Sequence, residues 1–243
     1  MERTFLQFPR TDFLFNDGDL PKTVVKRQLL TAEELDSILR GPTIVEEKID
    51  GSNVAVSFDE NGVLQFQGKT RYFGTNTHPQ HHLFFDWGWQ RRDALWDVLG
   101  DEAVLYGEWL YAKHTIKYTQ LPDYFVGFDI YMKPTPEDPD GWFWTADDRD
   151  ALLEMLGIAY VPRIEVGGYA SLEELMALAE GPSAFGSPVK EGVYLRLEAE
   201  GRLSLRAKYV RPEFRDEHAK GGRWWLNAVK ERNALRSDHE LQG

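Results

Sequence analysis

The sequence predicts an α+β fold: antiparallel strands with helices inserted between hairpins, followed by a short helical tail. Three observations carry that expectation. Asn61-Gly62 separates two alternating runs, the turn signature of a tight hairpin. Glu200-Gly201 does the same between Gly192–Glu198 and Leu203–Val210. Thr31 with Glu34, and Ser171 with Glu174, have the spacing of capping boxes, in which a hydroxyl and a carboxylate three residues apart satisfy each other's backbone N–H groups.

In chain order, the Thr31 box opens a first helix and Thr43–Glu47 is an apolar strand. Asn53–Phe58 and Val63–Gln67 form the hairpin across Asn61-Gly62. Gln90–Leu99 reads as helix, Ala103–Tyr111 and Tyr124–Tyr131 as strands, and the Pro- and Asp-rich Lys133–Gly141 as a surface loop. Thr145 opens a helix over Asp147–Leu156 that Gly157 ends, and Ser171 opens another. After the hairpin Gly192–Glu198/Leu203–Val210 the pattern turns helical, giving a basic tail over Arg211–Arg236. The expected organisation is one domain over 1–210 and the tail over 211–243.

The 243 residues suffice for a substantial core, and 8 Trp, 10 Tyr and 14 Phe mark an ordered chain. With no cysteine, disulfides, thiolate metal sites and cysteine nucleophiles are excluded. Met1-Glu2-Arg3-Thr4 lacks an apolar leader and no apolar run reaches membrane-spanning length, so a cytoplasmic, monomeric protein is expected. The net charge of −12 argues against a passive nucleic-acid coat. Basic residues concentrate late, however: Arg206, Lys208, Arg211, Arg215, Lys220, Arg223, Lys230, Arg232 and Arg236 face only Glu213, Asp216, Glu217 and Glu231. There is no Gly-Lys-Ser/Thr phosphate loop and no dinucleotide glycine motif, and His78, His81 and His82 lack a ligand pattern.

Lys48, in Glu46-Glu47-Lys48-Ile49-Asp50-Gly51-Ser52-Asn53, is the candidate nucleophile. About one free lysine in a few thousand is neutral at pH 7, so a nucleophilic one needs its pKa lowered by burial or a neighbouring cation. Glu46 and Asp50 would share its strand face, and carboxylates alone shift the pKa the wrong way. They make sense if they hold Mg²⁺ or Mn²⁺, which reverses the field. The alternative for this octet is a strand edge of mixed charges. Glu108, on a face with Val104 and Tyr106, must be paired, protonated or metal-linked. Glu191 precedes an alternating strand, and Arg206 and Lys208 share a face suited to polyphosphate or, alternatively, to water. Phe128 is core or a base-stacking ring.

In order, these segments resemble the covalent nucleotidyltransferases, the superfamily of polynucleotide ligases and mRNA capping enzymes. Lys48-Ile49-Asp50-Gly51 is similar to its nucleophile motif and Tyr106-Gly107-Glu108-Trp109 to its third motif. Val126-Gly127-Phe128-Asp129, Lys190-Glu191-Gly192-Val193 and Arg206-Ala207-Lys208 resemble the motifs that follow. Asn53 and Arg71 resemble most the ATP-dependent RNA ligases of repair and editing, although Arg206 stands where that branch has lysine.

The resemblance implies a nucleotidyltransferase domain, and with the chain stopping soon after the last motif no oligonucleotide-binding barrel is expected. It implies an ATP-dependent enzyme that forms lysyl-AMP on Lys48, passes AMP to a 5′-phosphate RNA end and seals that end to a 3′-OH. Lys48, Asp50, Glu108, Glu191 and Lys208 would be catalytic, and Asp50, Glu108 and Glu191 would hold Mg²⁺ or Mn²⁺. ATP would be bound by Glu46, Glu47, Lys48, Ile49, Asn53, Arg71, Glu108, Phe128, Glu191, Arg206 and Lys208. RNA is the implied partner, with end-healing kinase and phosphatase enzymes beside it. Arg211, Arg215 and Arg223 are expected to hold RNA phosphates, with Trp224 and Trp225 packing the tail or, alternatively, stacking on a base. The alternatives are a DNA ligase, a GTP-using guanylyltransferase, or an inactive RNA-end-binding module.

Overall fold

The computed structural model describes residues 5–15, 29–74, 77–219 and 231–236. They divide into two compact units, one within 5–9, 51–112 and 123–160, the other within 10–50, 113–122 and 161–236. In order the elements are β1 (Asp12–Phe13), α1 (Ala32–Arg40), β2 (Thr43–Lys48), β3 (Ser52–Phe58), β4 (Leu64–Gly68), α2 (His82–Gln90), α3 (Arg92–Leu99), β5 (Ala103–Trp109), β6 (Phe125–Met132), β7 (Trp142–Phe143), α4 (Ala146–Met155), β8 (Arg163–Gly167), α5 (Leu172–Ala177), β9 (Gly192–Ala199), β10 (Arg202–Val210) and α6 (Pro212–Ala219). The α+β expectation is met, with two five-stranded sheets.

The first unit holds the sheet β4-β3-β5-β6-β7, antiparallel throughout. Val54, Val56, Phe58, Leu105 and Trp109 alternate onto one face and pack with Phe84 into its core. Each such side chain contributes about 1.5–3 kcal/mol. The opposite face carries Asn53, Ser57, Tyr106 and Glu108, as the two-residue period requires. Thr145 caps α4, its hydroxyl accepting the Asp148 N–H at 3.1 Å, and Gly157 ends the turn with φ +62°.

The second unit holds β1-β10-β9-β2-β8, antiparallel except that β1 runs parallel to β10. Val45, Val193, Leu195, Ala207 and Tyr209 form the apolar face with Ile38 of α1 beneath them. The capping box of α1 is present in both directions, Thr31 Oγ1 to Glu34 N–H and Glu34 Oε2 to Thr31 N–H.

Three expectations need correction, and strand β8 lies where no element was expected. The helix expected over Gln90–Leu99 is preceded by another, α2, and the two break at Arg91. Helix α2 has no side-chain cap and is apolar around much of its circumference, so the sequence offers no helical stripe. Strand β8 is an exposed, charged edge that pairs with β2, a short pattern easily read as loop. Among the described residues of the tail, Pro212–Ala219 is helical, whereas 231–235 is not, and Leu235 bridges Leu121. Lys220, Arg223, Trp224, Trp225 and Lys230 fall outside the described residues. Lastly, Arg215 is buried, its Nε donating to the Val210 carbonyl at 2.5 Å, and Arg211 is tied to Glu180 and Glu213, so neither is a bare RNA-phosphate contact. Among the described residues no helix is long and apolar enough to cross a membrane.

Candidate active site

Lys48 is the last residue of β2 and lies opposite Gly192, the first residue of β9. That register brings the residue before Gly192 to the amine: Lys48 Nζ donates to Glu191 Oε2 at 2.5 Å. The carboxylate side is 1% exposed and the lysine side chain 25%, so the amine is reachable while its partner is not. Gly192 is required by the strand on its other side. A Cβ there would lie 2.0 Å from the Tyr209 carbonyl oxygen of β10, so only glycine lets the two backbones pair this closely.

The same alternation that buries Val45, Val193 and Ala207 sets the polar residues on the other face of the sheet. Directly opposed positions share a face, which groups Glu46 with Tyr194 and Lys208, and Ile44 with Arg196 and Arg206. Arg206 and Lys208 therefore share one face, as the sequence suggests. Lys208 Nζ lies 4.5 Å from the centre of the Phe13 ring. Arg196 is fully buried and bonds Glu198 at 3.2 Å. The alternation of Tyr194, Arg196 and Glu198 with Val193, Leu195 and Leu197 was the signal for it.

Asp50 does not continue the face of Lys48, because β2 ends at Lys48. Its carboxylate turns to the chain segment 113–121, where Oδ2 accepts the N–H groups of Thr115 and Ile116 at 2.7 and 2.9 Å. The Asp50 N–H donates to the Tyr118 hydroxyl oxygen at 2.9 Å. Burial, reinforced by the negative charge of Glu191, pushes the Asp50 carboxyl up to about 6 against the pull of these amides and of Lys48. Burial and the Asp50 charge hold the Tyr118 phenol well above its ordinary value, so it stays neutral.

Glu46 and Ile49 are buried. Glu47 faces the apolar side, where Oε2 accepts the Ala184 N–H at 3.0 Å, and burial raises its carboxyl. Its side chain holds the turn at 183–184, a structural use the sequence reading did not foresee.

In the first unit Asn53 lies directly opposite Glu108 on β3 and β5. A Cβ at Gly51 would come within 3.2 Å of Glu108 Oε2 and 2.6 Å of Leu110, so this glycine permits a close approach to the acid. Ser52 Oγ is 3.0 Å from His81 Nε2, and Trp109 Nε1 donates to the Gln80 carbonyl at 2.6 Å. Phe128 is the residue of β6 at the register shift, between Gly127 and Asp129, and packs edge-to-face on Phe8, with ring centres 5.1 Å apart. Arg71 is exposed just beyond β4. Lys48, Asp50, Glu191, Arg206 and Lys208 thus belong to one unit, and Asn53, Arg71, Glu108 and Phe128 to the other.

Among the described residues no three His, Asp or Glu side chains are grouped to hold a metal ion. Of the expected set, Glu108 lies in the first unit, and Asp50 and Glu191 lie in the second. Asp50 is committed to two backbone amides and Glu191 to Lys48. Such an arrangement suits Mg²⁺-type binding, in which one or two carboxylates act with substrate phosphates and water.

The RNA ligase family model matches residues 41–210, from just before β2 to the end of β10. The chain belongs to the RNA ligase family. Solved structures of similar fold include the Naegleria gruberi RNA ligase with PPi, at 20% identity over 90% of this chain and 64% of that one, TM-score 0.55. A lysine-to-alanine mutant of the Naegleria ligase with ATP and Mn matches at 19% identity, 86% and 62% coverage, TM-score 0.58. A glutamate-to-alanine mutant with AMP and Mn matches at 20%, 89% and 65%, TM-score 0.54. The chain spans less than two thirds of the length of these ligases. A comparison with curated proteins gave no match. The matched residues contain both partners of the Lys48–Glu191 pair.

Proposed function

We propose that this RNA ligase family member is an ATP-dependent enzyme that joins a 5′-phosphate RNA end to a 3′-OH through a lysyl-AMP on Lys48. The observation that carries the reading is the 2.5 Å contact between Lys48 Nζ and the buried Glu191. Lys48 Nζ attacks the α-phosphorus of ATP. An N–P bond forms, the bond from that phosphorus to the bridging oxygen breaks, and pyrophosphate leaves with the electron pair. Glu191 Oε2 is the acceptor at hand for the amine proton. In the second step a 5′-phosphate oxygen displaces the lysine, which recovers a proton. In the third, the 3′-OH oxygen forms a bond to that phosphorus, the bond from it to the AMP oxygen breaks, AMP leaves with the electron pair, and the hydroxyl proton passes to water.

Arg206 and Lys208 on the polar face of the second unit, and Arg71 in the first, are assigned to phosphate oxygens. Asn53 is assigned to the ribose or the RNA end and Phe128 to the adenine, both by resemblance. Glu46, Glu47 and Ile49 act by setting the strand that carries Lys48. ATP and a divalent cation are the proposed cofactors, in line with the ATP and Mn of the Naegleria structures. Asp50 and Glu191, with Glu108 carried over by resemblance, are the residues to hold the cation, which when bound neutralises phosphate charge and favours the neutral amine.

Incubating the protein with a 5′-phosphate strand, a 3′-OH strand, ATP and Mg²⁺ tests the reading. Joined RNA with ATP and none with GTP is expected. Equal joining of DNA, or nucleotide transfer from GTP alone, would move the chain to another branch of the superfamily.

A further inference from the structure

The chain segment 113–121 is held from two sides. On one side stands Asp50, bonded through Thr115 N–H, Ile116 N–H and the Tyr118 hydroxyl. On the other lie residues 231–236, close to the end of the described chain. Asn233 is 0% exposed, and its Oδ1 accepts the Tyr118 N–H at 2.9 Å. The ladder continues with Ala234 N–H to the Tyr118 carbonyl at 3.0 Å, Leu121 N–H to the Ala234 carbonyl at 3.1 Å, and Arg236 N–H to the Leu121 carbonyl at 2.8 Å. Lys113 and Lys117 both reach Glu231, at 2.9 Å each.

These bonds differ in consequence. The Glu231 pairs are solvent-exposed and contribute little. Loss of Asn233 would strand the Tyr118 N–H in the interior, which is where such a deletion costs most. Tyr118 is bonded on both sides: its backbone to Asn233 and Ala234, its hydroxyl to the backbone of Asp50.

We propose that residues 231–236 position the nucleophile: Asn233 seats Tyr118, and Tyr118 seats Asp50, two residues from Lys48. The inference rests on the reading of Lys48 as the adenylated residue. It assigns this part of the basic tail to the covalent step, where the sequence pointed to RNA.

The test is Asn233→Ala in the full chain, with Asn233→Asp as the conservative variant that keeps an acceptor for the Tyr118 N–H. At saturating ATP, label transfer from α-labelled ATP to Asn233→Ala should fall about 10-fold or more, because small misplacements of a reacting group are costly. The half-saturating ATP concentration should stay within about twofold, and Asn233→Asp should recover most of the rate. Sealing of an RNA that already carries a 5′-adenylate should be spared. If Asn233→Ala does not fold, Tyr118→Phe removes only the hydroxyl and should give the same split. Parallel loss of both steps, or loss of sealing alone, would overturn the positioning role. A wild-type chain that takes no label from ATP would contradict the ligase reading itself, and the positioning role with it.

Discussion

Lys48 and Glu191 lie 143 residues apart in the chain and 2.5 Å apart in the fold. The β2–β9 ladder joins them, because it sets Lys48 opposite Gly192 and so delivers the preceding residue to the amine. A buried carboxylate against a quarter-exposed lysine is an arrangement that raw stability does not require, since buried ion pairs repay their desolvation poorly. In the proposed mechanism this arrangement holds the amine and receives its proton.

Glu191→Gln keeps the shape and removes the charge. The covalent step should fall about 100-fold or more, the usual scale for a lost proton acceptor. Thermal stability should hold or rise. Label transfer from α-labelled ATP and a melting curve on the same sample check both halves, and an unchanged labelling rate would remove Glu191 from the chemistry.

Gly192→Ala should act through the sheet. Its Cβ would fall 2.0 Å from the Tyr209 carbonyl, a backbone atom that cannot move aside without opening the β9–β10 ladder. A loss of about 1–3 kcal/mol or more in denaturant unfolding is expected, together with slower adenylation as Glu191 shifts from Lys48. Wild-type stability in this variant would mean that the two strands are paired less closely than described.

Glu47→Gln gives a pH-dependent result. Burial raises the Glu47 carboxyl in the folded protein above its unfolded value, so the folded state binds the proton more readily. Stability is then highest below the unfolded value near 4.5 and is lost as pH rises through the folded one. Glutamine can still accept the Ala184 N–H without a charge. The variant should therefore melt higher than wild type at pH 8, with the gap closing toward pH 4.5. A gap that widens on acidification would reverse the sign of the assignment.

What the sequence made legible was local. The period of two in Val193–Leu197 and Arg206–Lys208 separated an apolar face from a charged one, and the sheet obeys it. The capping residues Thr31, Thr145 and Ser171 marked their helices because a cap is a contact within one turn. The pairing of 118–121 with 231–236 was illegible, since no periodicity announces which distant segment completes a loop's hydrogen bonds. The strand face of Asp50 was misread for a related reason: the pattern that set it on the face of Lys48 stops at Lys48, and its carboxylate is bonded to amides near 115. Helix α2 forms because Phe84 and Trp87 find the core and Gly88 lets Phe66 close in, where a Cβ would come within 2.4 Å. Those are tertiary reasons, which override weak local propensity.

The most direct test of the central claim is the intact mass of the protein after incubation with ATP and Mg²⁺, for wild type and for Lys48→Ala. The account predicts an added AMP on the wild type, reversed by excess pyrophosphate, and an unmodified mass for a folded Lys48→Ala. An adduct that survives in Lys48→Ala, or a folded wild-type protein that gains no AMP, would contradict it.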